Sequence, residues 1–204
     1  MDDNKIKLGS GKLGQKIRIS LKAASLVILE FLKVAIIAGV TIVAVRYFLF
    51  KPFYVKGASM EPNFYDHEYL IIDELTYRFD EPARGDVVVF RYPENPKEYF
   101  LKRIVGLPGE RIKVSAGKVT AYNTAHPEGV EIQESYLPDN LITIGEKFWV
   151  LGDNQYFVLG DNRMNSFDSR RFGPVDRNAL VGRAWLRGWP LPRIQKFSPP
   201  QYNF

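Results

Sequence analysis

Two residues far apart in this 204-residue chain have the makings of a nucleophile and its base. Ser59 stands in "KGASMEPNF" (residues 56–64), a short stretch with small neighbours, three residues before Pro62. A hydroxyl there attacks a carbonyl only if a neighbouring group takes its proton. The usual acceptor is histidine, and the chain has two, His67 and His126. His67 lies in "YDHEY", which reads as a solvated turn, and His126 precedes Pro127 in a weakly patterned region. Lys102, in "YFLKRIVGL" (99–107), is the other candidate. Strand alternation puts Phe100, Lys102 and Ile104 on one face, which is otherwise apolar. Two readings are open for it: an edge lysine whose amine reaches water, or a desolvated one. Burial disfavours the ammonium, and a pKa brought down from about 10.4 to about 7–8 leaves a useful neutral fraction at physiological pH. A neutral amine within reach of a serine hydroxyl can act as its general base, the serine–lysine variant of triad logic.

The same reading removes other chemistries. There is no cysteine, hence no disulfide framework, no thiolate zinc site and no thiol nucleophile. Two histidines without an HExxH pattern do not make a catalytic zinc site. "GLPGE" has two glycines but ends in an acid where a phosphate loop needs Lys-Ser/Thr. No metal and no cofactor is expected. The net charge of +5 is uneven: residues 1–33 hold seven Lys or Arg against three acids, so the remainder is close to neutral. A nucleic-acid binder carries its basic excess on the folded body, and none is expected here. A basic tail ahead of an apolar segment is a membrane-topology signal.

The elements that must position Ser59 and Lys102 follow from patterning. From Leu26 the chain reads "LVILEFLKVAIIAGVTIVAVRYFLF". The uncharged stretch Val34–Val45 makes only about 18 Å of helix, so a membrane span of roughly 30 Å draws on more of 26–50. Glu30 and Lys33 sit one turn apart and can pair. Arg46, Tyr47, Phe48 and Phe50 suit an interface, and Pro52 is expected to stop the helix. The domain reading is a basic cytoplasmic tail over 1–25, a transmembrane anchor over 26–50, and an extracytoplasmic β-rich body over 51–204. A cleaved signal peptide or a buried helix are the alternatives. In the body, "YLIID", "DVVVFRY", "YFLKRIVGL", "ERIKVS", "KFWVL", "QYFVL" and "ALVGRAWLRGW" read as strands, separated by turn signals such as "PARGD", "YPENPKE" and "LPGE". "SAGKV" looks like a hairpin turn. "VLGDN" occurs at 150–154 and 158–162, each reading as a strand followed by a GDN turn. Residues 116–146 are less patterned and read as an insertion. The fold class is mainly β: an antiparallel sheet domain with a smaller inserted β region, behind one N-terminal transmembrane helix.

Three stretches, "PFYVKGASMEPNF", "YFLKRIVGLPGE" and "GDNRMNSFDSRRFGPV…LVGRAW", resemble in type and order the boxes of type I signal peptidases (leader peptidases), a Ser/Lys-dyad serine protease family. The resemblance runs from about residue 46 to residue 187. It implies Ser59 as nucleophile, Lys102 as general base, Ser166 as the hydroxyl that orients the lysine amine, and Asp168 with Arg170 as a supporting ion pair. Asp161 and Asn162 match the GDN turn, where a backbone-shaping role is expected. Met60 and Pro62 fix the loop presenting Ser59. Phe53, Val55, Met60, Phe64, Phe100 and Leu101 would line pockets for small substrate residues, or simply be core. Gly57 departs from members that carry a serine there, leaving the oxyanion to backbone N–H groups, chiefly that of Ser59. Phe64 stands where a smaller aliphatic residue is common and would narrow a pocket.

The resemblance also implies partners: signal peptides of exported preproteins, the lipid bilayer, and proximity to the protein-export channel. It implies a single-pass protein of the cytoplasmic membrane, N-terminus inside and catalytic domain on the outer face. "RAWLRGWPL" (183–191) could rest on that surface. Competing readings are a specialised pilus or conjugation peptidase, a Ser–Lys autoproteolytic repressor, which would need a DNA-binding domain in place of the anchor, and an inactive anchored binding protein.

Overall fold

The computed structural model describes residues 25–43, 50–202 and 204. The chain divides into two units between residues 48 and 49. In the first, helix α1 (Ser25–Val43) is 19 residues long, about 28 Å at 1.5 Å per residue, and long and apolar enough to cross a membrane. Its apolar side chains, among them Leu26, Phe31, Ile36 and Val40, are all exposed. Glu30 and Lys33 pair at 3.1 Å.

The expected span reaches to Phe50, with Pro52 as its stop. Both residues instead lie in β1 (Phe50–Tyr54). Strand β1 sits at the edge of its sheet, where a proline without an N–H breaks no ladder. Arg46, Tyr47 and Phe48 lie outside the described residues.

The second unit is β throughout, apart from short helical turns. Its strands after β1 are β2 (Tyr69–Asp73), β3 (Val87–Tyr92), β4 (Asn95–Gly106), β5 (Arg111–Ser115), β6 (Lys118–Tyr122), β7 (Val130–Glu131), β8 (Lys147–Val150), β9 (Gln155–Leu159), β10 (Val175–Asp176), β11 (Leu180–Trp189) and β12 (Gln195–Lys196). Helix α2 is Ser169–Phe172. One antiparallel sheet runs β1-β2-β11-β3-β4-β9-β10, with β12 added to β11; a smaller one runs β7-β6-β5-β8. The fold class read from patterning is therefore observed. "YPENPKE" is tighter than expected: β4 already begins at Asn95, pairing with Tyr92. In "SAGKV", Ala116 and Gly117 both take positive φ (51° and 81°), the requirement of a two-residue primed hairpin turn.

In β5 and β6 period-two burial decides which way the strand faces. Ile112 and Val114 are fully buried between exposed Arg111 and Lys113. Strand β4 separates two cores. Leu101 joins Val55, Met60, Phe64, Val87 and Val89 on one side. Phe100 and Ile104 join Val88, Phe90, Tyr156 and Val158 on the other. A third core, with Ile112, Val119, Ile132, Trp149 and Phe157, ties the small sheet to β9. The insertion over 116–146 thus supplies β6 and β7 to the small sheet, followed by an irregular segment up to β8.

Candidate active site

Ser59 is held in a turn that follows β1. Gly57 takes φ +86°, a region other residues enter at a cost of about 1–2 kcal/mol. Its N–H donates to Asp66 Oδ1 at 2.9 Å. The Glu61 N–H donates to Ala58 O (3.2 Å) and the Phe64 N–H to Met60 O (2.9 Å), which tightens the turn. Met60, 1 % exposed, plugs it into the core below. The second GDN turn grips it from the side: Asn162 Nδ2 donates to Ala58 O (3.0 Å) and the Asn162 N–H to Ser59 O (3.1 Å). Asp161 and Asn162 therefore do more than shape their own turn. Gly160 lies where the two segments cross. A Cβ there would stand 2.1 Å from Ser166 Oγ and 2.4 Å from Ser59 O.

Lys102 reaches this turn from β4. Its Nζ lies 2.6 Å from Ser59 Oγ and donates to Leu101 O at 2.9 Å. The residue is 4 % exposed, so of the two readings open in sequence the desolvated lysine is the one observed. Burial pulls its pKa down to about 8, opposed by the negative charges of Asp168 and Asp161. The next residue, Arg103, points to the other face of the strand. It forms a two-pronged pair with Asp161, Nε to Oδ1 at 2.9 Å and Nη2 to Oδ2 at 2.7 Å. Asp161, fully buried, also accepts from Asn63 Nδ2 (2.9 Å), four residues past Ser59.

Asp168 and Arg170 form the expected ion pair, with Nε and Nη2 each 2.8 Å from the carboxylate. Asp168 also caps α2 and accepts the Gly160 N–H at 3.1 Å. Ser166 differs from expectation. Its Oγ is buried above Gly160 without a hydrogen-bond partner, and the amine's two partners are Ser59 Oγ and Leu101 O. Strand alternation locates Lys102 but carries no information about which rotamer Ser166 adopts.

Beside Ser59 opens a cavity of about 400 Å³ lined by Phe53, Tyr54, Val55, Lys56, Ser59, Met60, Tyr99, Phe100, Leu101, Lys102 and Phe167. Its long walls are β1 and the part of β4 before Arg103, where pairing with β9 begins. Tyr54, Lys56, Tyr99 and Phe167 were not expected there. Phe167 sits inside "NSFDSR" and packs edge-on against Phe100 and Tyr92, contacts no local pattern reports. Phe64 is a correction: it does not line the cavity. It is 1 % exposed, its ring 4.6 Å from that of Phe197, because the turn directs it into the core below Met60. Phe53, Val55, Met60, Phe100 and Leu101 do line the cavity.

The histidines stand apart. His67 is exposed and pairs with Asp66 at 3.0 Å; His126 faces Glu128 and Phe204. Among the described residues the backbone N–H groups of Ala58 and Ser59 donate to nothing, whereas that of Gly57 is taken by Asp66. The arrangement can therefore present an activated hydroxyl, a neutral base and one or two free amide donors at the side of an apolar groove. No cluster of metal-ligating side chains occurs among the described residues.

The site thus sets a serine hydroxyl against a buried lysine amine beside a strand-shaped cleft. The family described as "Signal peptidase, peptidase S26" matches residues 28–189. "Probable signal peptidase I-2" of Synechocystis sp. is 36% identical over 176 residues, covering 81% of this chain and 75% of that one. "Signal peptidase I" of Leptolyngbya laminosa is 34% identical, covering 85% of each. "Signal peptidase IB" of Staphylococcus aureus (strain MRSA252) is 31% identical, covering 87% of this chain and 94% of its own. The chain belongs to the signal peptidase family, peptidase S26: it is a serine endopeptidase of the signal peptidase I type.

Proposed function

We propose that this enzyme removes N-terminal signal peptides from exported preproteins with Ser59 as nucleophile and neutral Lys102 as general base. The observation that carries the reading is the 2.6 Å separation of Lys102 Nζ and Ser59 Oγ with the amine 4 % exposed. Ser59 Oγ attacks the carbonyl that ends the signal peptide, and its proton passes to Lys102 Nζ. The ammonium then protonates the departing amine, and the signal peptide stays on Ser59 as an ester. Water, giving its proton to the same amine, hydrolyses the ester. The oxyanion is met by the Ser59 N–H, with the Ala58 N–H as second candidate; removing one such donor costs about 3–4 kcal/mol.

The substrate adds as an extended strand between the facing edges of β1 and β4, and the apolar cavity accepts small residues at the first and third positions before the cut. Asp168, Arg170 and Ser166 support the loop that carries the GDN turn. Helix α1 anchors the chain in the cytoplasmic membrane, with the basic N-terminus inside and the catalytic domain on the outer face near the export channel, as the basic excess of residues 1–33 supports. The anchor raises the effective concentration of signal peptides lying in the same bilayer.

The test is incubation of detergent-solubilised full-length protein with a preprotein, mapping the cut by mass spectrometry. Ser59→Ala and Lys102→Ala are each expected to abolish cleavage while leaving the fold intact. Lys102→Arg is expected to be inactive because arginine stays protonated. His67→Ala and His126→Ala are expected to cleave normally, and a dead histidine variant would restore the triad.

A further inference from the structure

The irregular segment between β7 and β8 touches both arms of the active site without lining its cavity. We infer that Glu134, on this segment, is a positioning residue for the cleavage reaction: it locks Arg163, and through it the loop that holds Ser59 against Lys102. The inference rests on the roles proposed above for those two residues.

Arg163 directly follows Asn162 and is 2 % exposed. A guanidinium has five N–H donors, and here each meets an acceptor. Nε donates to Gly160 O at 3.1 Å. Nη1 donates to Glu134 Oε2 and to Thr143 Oγ1, both at 2.5 Å. Nη2 donates to Glu134 Oε1 and makes a long contact, 3.4 Å, with the Tyr136 hydroxyl. Four of the five contacts thus come from residues 134–143. A buried planar cation with every donor engaged by a rigid fork has one position to occupy, and the backbone attached to it is fixed accordingly. That backbone includes Asn162, which holds Ala58 O and Ser59 O.

The same segment reaches the site along two further lines. Tyr136 O accepts from Asn63 Nδ2 at 2.9 Å, and its ring lies 3.9 Å from the Arg103 guanidinium. Ile144 O accepts from Arg170 Nη1 at 3.1 Å, while Arg163 O accepts from Arg170 Nη2 at 2.8 Å. Nucleophile loop, GDN turn and the Asp168–Arg170 pair are therefore all tied to one irregular stretch of the insertion. Because none of its residues lines the substrate cavity, the expected signature is a change in kcat at constant KM.

The experiment uses the full chain in detergent and a synthetic signal-peptide substrate with alanine at the first and third positions before the cut. Active sites are counted with an acylating agent, so that kcat refers to folded enzyme alone. Glu134→Gln replaces one acceptor oxygen by a donor that cannot serve Arg163, and is expected to lower kcat by up to about 100-fold, the scale of a misplacement near 1 Å. KM is expected to stay within about twofold. Glu134→Asp, which keeps the charge, is expected to recover part of the loss. Ile132→Ala, in the core of the small sheet, is expected to lower thermal stability while leaving kcat per site unchanged. If Glu134→Gln fails to fold, Thr143→Val removes a single contact and is expected to reduce kcat several-fold at constant KM. A wild-type kcat per site in the Gln or Val variant overturns the inference, as does a loss of kcat in Ile132→Ala that merely follows its stability. Failure of the wild-type enzyme to acylate or cleave would instead overturn the Ser59–Lys102 reading.

Discussion

The protonation state of Lys102 makes the sharpest quantitative prediction. Its pKa is pulled by burial from 10.5 to about 8. At pH 7 an ordinary lysine is neutral about 0.03 % of the time, whereas one titrating near 8 is neutral about 10 % of the time, a gain of roughly 300-fold in competent base. The rate should then climb about fivefold between pH 7 and pH 8 and level off above pH 9. The assay is kcat/KM for a signal-peptide substrate from pH 5.5 to 9.5, which reports the free enzyme. An acid limb with its midpoint near 8 is expected. A midpoint near 6.5, as for histidine, or a profile flat across pH 7–9 would refute the assignment of Lys102 as base. The same shift has a stability consequence of definite sign. The folded state disfavours the ammonium, so the penalty is full below the folded pKa near 8, shrinks as pH rises, and vanishes above the unfolded pKa of about 10.5. At pH 7 it amounts to about 3 kcal/mol. Lys102→Met is accordingly expected to be inactive yet to melt at a higher temperature than wild type at pH 7, with the difference shrinking toward pH 10.

Three other outcomes follow from the crossing of the two loops and from the pair beside them. Gly160→Ala has no room at 2.1 and 2.4 Å from its neighbours; chemical denaturation is expected to register a loss of about 1–3 kcal/mol, and cleavage to fall by about 100-fold as Ser59 is displaced. For Gly57→Ser the added Cβ meets no atom within 4 Å, so the φ of +86° is the main resistance; a loss of about 1–2 kcal/mol should accompany a faster acylation burst if the hydroxyl serves as an oxyanion donor. Asp168→Asn leaves Arg170 without its counter-charge in a site where the carboxylate side is fully buried; a destabilisation of about 3–5 kcal/mol is expected in urea titrations.

Strand identity was legible because it rests on short-range pattern, and Lys102 stood out as a candidate for the same reason. Alternation in "RIKVS" marks a buried face directly, and in "YFLKRIVGL" a lysine set on one face with Phe100 and Ile104 is a local anomaly. What was not legible depends on contacts between distant segments. Phe64 reads as a pocket residue by its place after Ser59, but the turn aims it toward Phe197, 133 positions on. Tyr99 and Phe167 come to line one cavity only when "NSFDSR" folds back over β4. Phe50 and Pro52 carry the composition of a membrane boundary, and their place in β1 is decided by pairing with Asp73 and Ile71. The Glu134–Arg163 couple spans 29 positions within a stretch that has no periodicity to betray it. Ser166 carries its match to the motif, yet its hydroxyl turns on a single rotamer.

Lys102 and Arg103 are consecutive residues with opposite fates: burial eases one side chain toward losing its proton, and its neighbour is clamped by Asp161 so that it keeps its own. Sliding β4 by one position so that Arg103 takes the place of Lys102 would set a permanent cation against the serine and push apolar Ile104 into the niche shaped for a guanidinium fork. A misthreaded molecule would be chemically dead as well as unstable, so proteolytic competence in this enzyme doubles as a proofreading mark for correct assembly.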